Sequence, residues 1–93
     1  MEKVQLKHPE GKKAISMEKA KYDALKSSFI DCLKAKRIAP FDELLADVTA
    51  DLQNKKIKIK GVIQWNLFWV SLDMEANKQV KKNKAVSPYL YTL

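Results

Sequence analysis

Residues 62–77, VIQWNLFWVSLDMEAN, constrain the fold more than any other stretch, because they hold two acids, no base and ten apolar side chains. At helical spacing Trp65, Trp69, Leu72 and Ala76 follow one stripe, and Val62, Leu67 and Val70 broaden it. A helix that is apolar over more than half its circumference is normally an interior one. This reading turns both indoles and Leu72 inward, where truncating a buried tryptophan costs about 3–5 kcal/mol. Gln64, Asn66, Ser71, Asp73, Glu75 and Asn77 are then left to meet water.

The remaining elements are built around that helix. His8-Pro9-Glu10-Gly11 is a turn signal, so residues 1–15 read as an N-terminal arm, with Val4-Gln5-Leu6 a strand fragment or an apolar tuck onto the core. Ser16 is a candidate cap for a first helix over about 17–35, whose Tyr22, Leu25, Phe29 and Leu33 recur at steps of three and four. Ile38-Ala39-Pro40 makes a short connection that can pair as a bridge. Asp42 is a candidate cap for a second helix, with Phe41 stapling it and Leu44, Leu45, Val48 and Leu52 as the apolar face. Residues 57–60, IKIK, alternate like a short extended link, and Gly61 punctuates it. Gln79–Lys82 and Tyr89–Leu93 read as the two strands of a hairpin, with Pro88 tolerated at a strand start. The order helix, bridge, helix, helix, hairpin predicts a mainly α winged helix-turn-helix domain over 16–93.

Ninety-three residues make one domain, with a stability margin of roughly 5–10 kcal/mol. Cys32 is the sole cysteine, so no disulfide forms within the chain and a reducing, cytoplasmic setting is expected. No apolar run reaches the 18–20 residues of a membrane span, and the first thirteen residues lack a signal-peptide core. Chemistry is sparse. His8 is the only histidine and Gly11 and Gly61 the only glycines. No phosphate loop, metal-ligand spacing or catalytic pair emerges, so no enzyme, cofactor or metal is expected.

Charge decides which partners are considered. The chain carries a formal +7, with Arg37 as its one arginine, and lysines attract phosphates diffusely rather than reading bases. Residues 38–54 hold four acids and no base. The surplus falls in Lys55, Lys56, Lys58 and Lys60 before the third helix and in Lys78, Lys81, Lys82 and Lys84 after it. In a winged helix both runs would reach the phosphates of double-stranded DNA, giving weak, salt-dependent, sequence-tolerant binding. Gln64 and Asn66 are the candidate base readers, since Gln and Asn can pair bidentately with adenine. Asp73 and Glu75 would meet phosphates at an electrostatic loss. The other expectation is a protein-interaction module or homodimer with no nucleic-acid role. It rests on the acidic stripe Glu43, Asp47 and Asp51, and on Tyr89 and Tyr91, which share one strand face.

HPEGKK at 8–13, KYDALKSSFIDCL at 21–33, PFDELLADV at 40–48 and GVIQWNLFWVSLDMEANKQV at 61–80 resemble a small family of bacterial winged helix proteins of uncharacterised function. The likeness includes Leu72, Asp73, Glu75 and Ala76 of the third helix, and this chain departs from it in the bulk of Phe68-Trp69. It implies a fold and brings no activity, substrate or catalytic residue.

Overall fold

The computed structural model describes residues 2–93. Two short strands open it: β1 (Lys3–Gln5) pairs antiparallel with β2 (Ser16–Glu18), placing Val4 opposite Met17. Then follow α1 (Lys19–Lys36), β3 (Ile38–Pro40), α2 (Phe41–Asn54), α3 (Ile63–Ala76), β4 (Lys81–Asn83) and β5 (Leu90–Thr92). The second sheet has the order β3-β5-β4, all antiparallel, with Ala39 opposite Tyr91 and Lys82 opposite Tyr91 on the other side. The domain is mainly helical with two small antiparallel sheets.

The core follows from the helix stripes. Leu25, Phe29 and Leu33 of α1, Leu44, Val48 and Leu52 of α2, and Leu67, Val70 and Met74 of α3 are all buried. The first two stripes are those the sequence periodicity predicts. Leu6 just after β1, Met17 of β2, Ala39 of β3 and Tyr91 of β5 join that core, and Tyr91 meets Phe29 edge to face at 5.8 Å. The N-terminal segment is thereby part of the packed body: Lys19 N–H donates to Glu2 and Leu6 N–H to Ile15, each at 3.0 Å.

Two helix starts differ from the expectation. Ser16 lies in β2, where its hydroxyl donates to Gln5 Oε1 at 2.8 Å, and α1 starts three residues later. The sheet ladder takes the serine that would otherwise cap the helix. Asp42 lies in the first turn of α2 and Phe41 is its first residue, so neither a side-chain cap nor a staple forms there. The carboxylates of Asp42 and Glu43 still face the positive end of the helix dipole.

Helices α2 and α3 end alike. Lys56 and Lys78 have φ of 58° and 60°. Ile57 N–H returns to Leu52 and Gln79 N–H to Met74. These bonds, with those from Lys56 N–H to Gln53 and Lys78 N–H to Glu75, satisfy the last carbonyls in a Schellman pattern, with lysine at the left-handed position glycine usually occupies.

The largest departure is the rotation of α3. Asn66, Leu67, Val70, Ser71, Asp73 and Met74 face inward, Leu72 is also buried, and Trp65 is 57% exposed. Trp69 is partly buried against the core, with no hydrogen-bond partner for its indole nitrogen among the described residues. Leu67, Val70 and Leu72 are inside as the sequence predicts, but Trp65, about 140° from Val70 around a helix, is not, so the buried face is turned away from the tryptophan stripe. The inward polar side chains are cheap to bury because they bond to their own helix. Asn66 Nδ2 donates to Val62 O at 2.8 Å and Ser71 Oγ to Phe68 O at 2.6 Å.

Candidate functional site: an aromatic groove after a basic loop

Val62, at the N-cap of α3, and Trp65 and Phe68 on its outer side recur every three residues and are 66%, 57% and 40% exposed. With Phe41 from the start of α2 and Gln64 they line an open groove of about 450 Å³. The rings are held in place. Trp65 packs edge to face on Trp69 at 5.9 Å, Phe68 on Phe41 at 5.9 Å, and Phe41 leans on Tyr91 at 6.3 Å. A contiguous apolar strip that the chain leaves open to water is the kind of surface that marks an interaction site.

Of the residues read from sequence as candidate base readers, Gln64 is exposed in this groove, whereas Asn66 is only 8% exposed and committed to Val62. Ser71 and Asp73, expected at the outer edge, are inside.

Asp73 joins three parts of the chain. Its Oδ2 accepts from the Tyr22 hydroxyl of α1 and its Oδ1 from Lys7 N–H at 2.9 Å. Burial, then donation to Asp73, push the Tyr22 phenol well above its ordinary range. This carboxylate is a structural clasp between α3, α1 and the N-terminal segment.

The two lysine runs have different fates. Lys82 is nearly covered, with its Nζ 3.1 Å from Glu75 and lying over the rings of Tyr89 and Tyr91 at 5.7 and 5.6 Å. Lys84 approaches the same carboxylate at 3.7 Å, and Lys81 is exposed. Lys55 is tied to Asp51 at 3.0 Å and to Asp31 at 3.7 Å, which raises its pKa. Lys56, Lys58 and Lys60 are exposed, and no carboxylate among the described residues pairs with them.

The acidic stripe of α2 is turned toward α1 rather than standing free. Lys36 lies 3.1 Å from both Glu43 and Asp47, and the two carboxylates raise its pKa. Asp51 accepts from Ser28 Oγ at 2.6 Å; that bond first, and Lys55 second, hold its carboxyl below the usual range. Tyr89 is 49% exposed and Tyr91 only 3%, because β5 begins at Leu90 and Tyr91 points into the core. The two tyrosines therefore do not form a common surface.

Among the described residues no helix is long and apolar enough to cross a membrane, and no group of three or more His, Cys, Asp or Glu side chains could hold a metal ion. Cys32 is a free thiol whose pKa burial pushes up, which disfavours the reactive thiolate.

Sequence periodicity missed Val62 and Phe68 as surface residues and the half-buried Phe41 as a groove wall, and placed Trp65 on the wrong side. The signal was present as a second stripe, Leu67, Val70 and Met74, competing with the tryptophan stripe for the core. What folds here is a small helical domain with a fixed aromatic groove beside a basic loop. The chain belongs to a family of unknown function, DUF6958, which it matches over residues 3–90. No curated protein and no solved structure matches the chain.

Proposed function

We propose that this chain is a non-enzymatic winged helix domain that works as a protein-interaction module through the outer face of α3. Support for the fold comes from the order helix, strand, helix, helix, hairpin, with β3 pairing to β5 and β5 to β4. The observation that carries the function is the open row Val62, Trp65 and Phe68 on the helix that a winged helix would lay in the major groove. Apolar rings there gain nothing from phosphates, whereas aromatic anchors are what protein interfaces concentrate at their centres. A photo-crosslinking side chain at position 65, with position 23 on α1 as control, tests this in the cells that make the protein. A discrete protein adduct from position 65 alone is expected. Adducts at both positions, or at neither, would remove the reading.

A second reading, weak binding of double-stranded DNA, is favoured by the unpaired Lys56, Lys58 and Lys60 and the exposed Lys81. It predicts sequence-tolerant affinity that falls steeply between about 50 and 200 mM salt. A triple Lys→Glu change at 56, 58 and 60 is expected to abolish it. No duplex binding at about 50 mM salt sinks it.

A further inference from the structure

We infer that the groove between the start of α2 and the outer face of α3 takes an acidic amphipathic helix supplied by a protein partner. The inference rests on the interaction reading above and specifies the partner's chemistry.

The shape argues for a helix. Val62, Trp65 and Phe68 span six residues, about 9 Å along the axis of α3, with Phe41 forming the facing wall. That length is a little under two turns of a helix laid alongside, presenting apolar anchors three or four residues apart. Among the described residues Gln64 is the only polar one lining the groove, so affinity comes from the anchors and specificity from the flanking charges.

The flanking charges argue for acid. Lys60 is two residues from Val62, so their Cα atoms are within about 7.6 Å, and Lys58 and Lys56 lie further back on the same loop. These three ammonium groups are exposed and unpaired, unlike Lys36, Lys55 and Lys82, which are tied to carboxylates of the chain. On the opposite wall Asp42 is exposed beside Phe41, and Glu43 is bound to Lys36. The charge that flanks the groove along the chain is therefore directional, with Lys60 ahead of Val62 and Asp42 after Phe41. A partner helix with carboxylates toward the 56–60 loop, and no acid against Asp42, satisfies both ends. A second copy of this chain is a poor occupant, because it brings another formal +7 and its own free lysines to the same place.

The probe is a pair of tryptophan-free, 16-residue amphipathic peptides. Both carry Leu and Phe at positions i, i+3 and i+7. One has glutamates on its flanks, and its twin has lysines. Binding is read by the fluorescence of Trp65 and Trp69 and by calorimetry, at about 50 mM salt. The glutamate peptide is expected to bind at least about tenfold more tightly than its twin. Lys56→Glu, Lys58→Glu and Lys60→Glu together are expected to reverse that preference. Trp65→Ser with Phe68→Ser is expected to abolish binding of either peptide, in a protein whose circular dichroism is unchanged. Equal binding of the two peptides, or a preference untouched by the triple change, overturns the acidic partner and leaves the interaction face standing. A sedimenting dimer that Trp65→Ser dissociates also overturns it, in favour of self-association. If neither peptide binds and position 65 yields no crosslinked protein, this inference and the interaction reading fall together.

Discussion

The two sides of α3 reverse the usual assignment of residue types. Its inner side carries Asn66, Ser71 and a buried aspartate among Leu67, Val70 and Met74, while its outer side carries a tryptophan and a phenylalanine, with an exposed valine at its N-cap. The inner polar groups are each satisfied, by the helix's own carbonyls or by Tyr22 and Lys7 N–H. Once satisfied they cost little to bury. The outer rings are braced against one another and against Phe41. A helix that is apolar on all sides does not select its own inward face. Packing against its neighbours selects, and here the inward set is Leu67, Val70 and Met74, with the indole of Trp65 outside.

Substitutions on the two faces separate these roles. Leu67→Ala, on the inner side, is expected to cost about 3 kcal/mol in urea unfolding, within the range for a filled core site. Asp73→Ala is expected to cost about 2–3 kcal/mol, because the Tyr22 hydroxyl and Lys7 N–H lose a charged acceptor. A cost below about 1 kcal/mol for either would break the contrast between the faces. The clasp also has a pH signature. Tyr22 keeps its proton in the native state above the ordinary phenol value of about 10, whereas the unfolded chain releases it there. Its contribution is therefore whole below that pH and lost as pH rises beyond it. The urea midpoint is expected to fall from pH 9 to 11, and less steeply in Tyr22→Phe. The smallest effect lies at the end of the same helix. Lys78→Gly relieves a left-handed lysine and is expected to add about 0.5–1 kcal/mol, read as a rise in melting temperature.

Much of the fold was legible in the residues. The stripe Tyr22, Leu25, Phe29 and Leu33 placed α1 against the core, and Leu44, Val48 and Leu52 did the same for α2. Both needed only a single apolar face with polar residues opposite. The third helix was located to within a residue at each end, but it offered two apolar stripes and periodicity could not rank them. Ser16 misled because a hydroxyl before an apolar stripe caps a helix only if no strand claims it first, and the pairing partner, β1, lies eleven residues away. The acidic stripe and Lys82 misled for a related reason. Spacing along the chain shows that charges share a face, but not that Lys36 or Glu75 stands across from them. The basic link 55–60 was seen as basic from the outset, and the structure adds that three of its four lysines are unpaired.

The outward aromatic row is tested most directly by the unfolding free energy of Trp65→Ala. Exposed side chains away from structural features contribute little to stability, and the edge-to-face contact with Trp69 adds only about 0.5–1.5 kcal/mol. A loss of no more than about 1.5 kcal/mol, with an unchanged far-ultraviolet spectrum, is the predicted result. A loss of about 3 kcal/mol or more would mean that this indole belongs to the core and that α3 faces the other way.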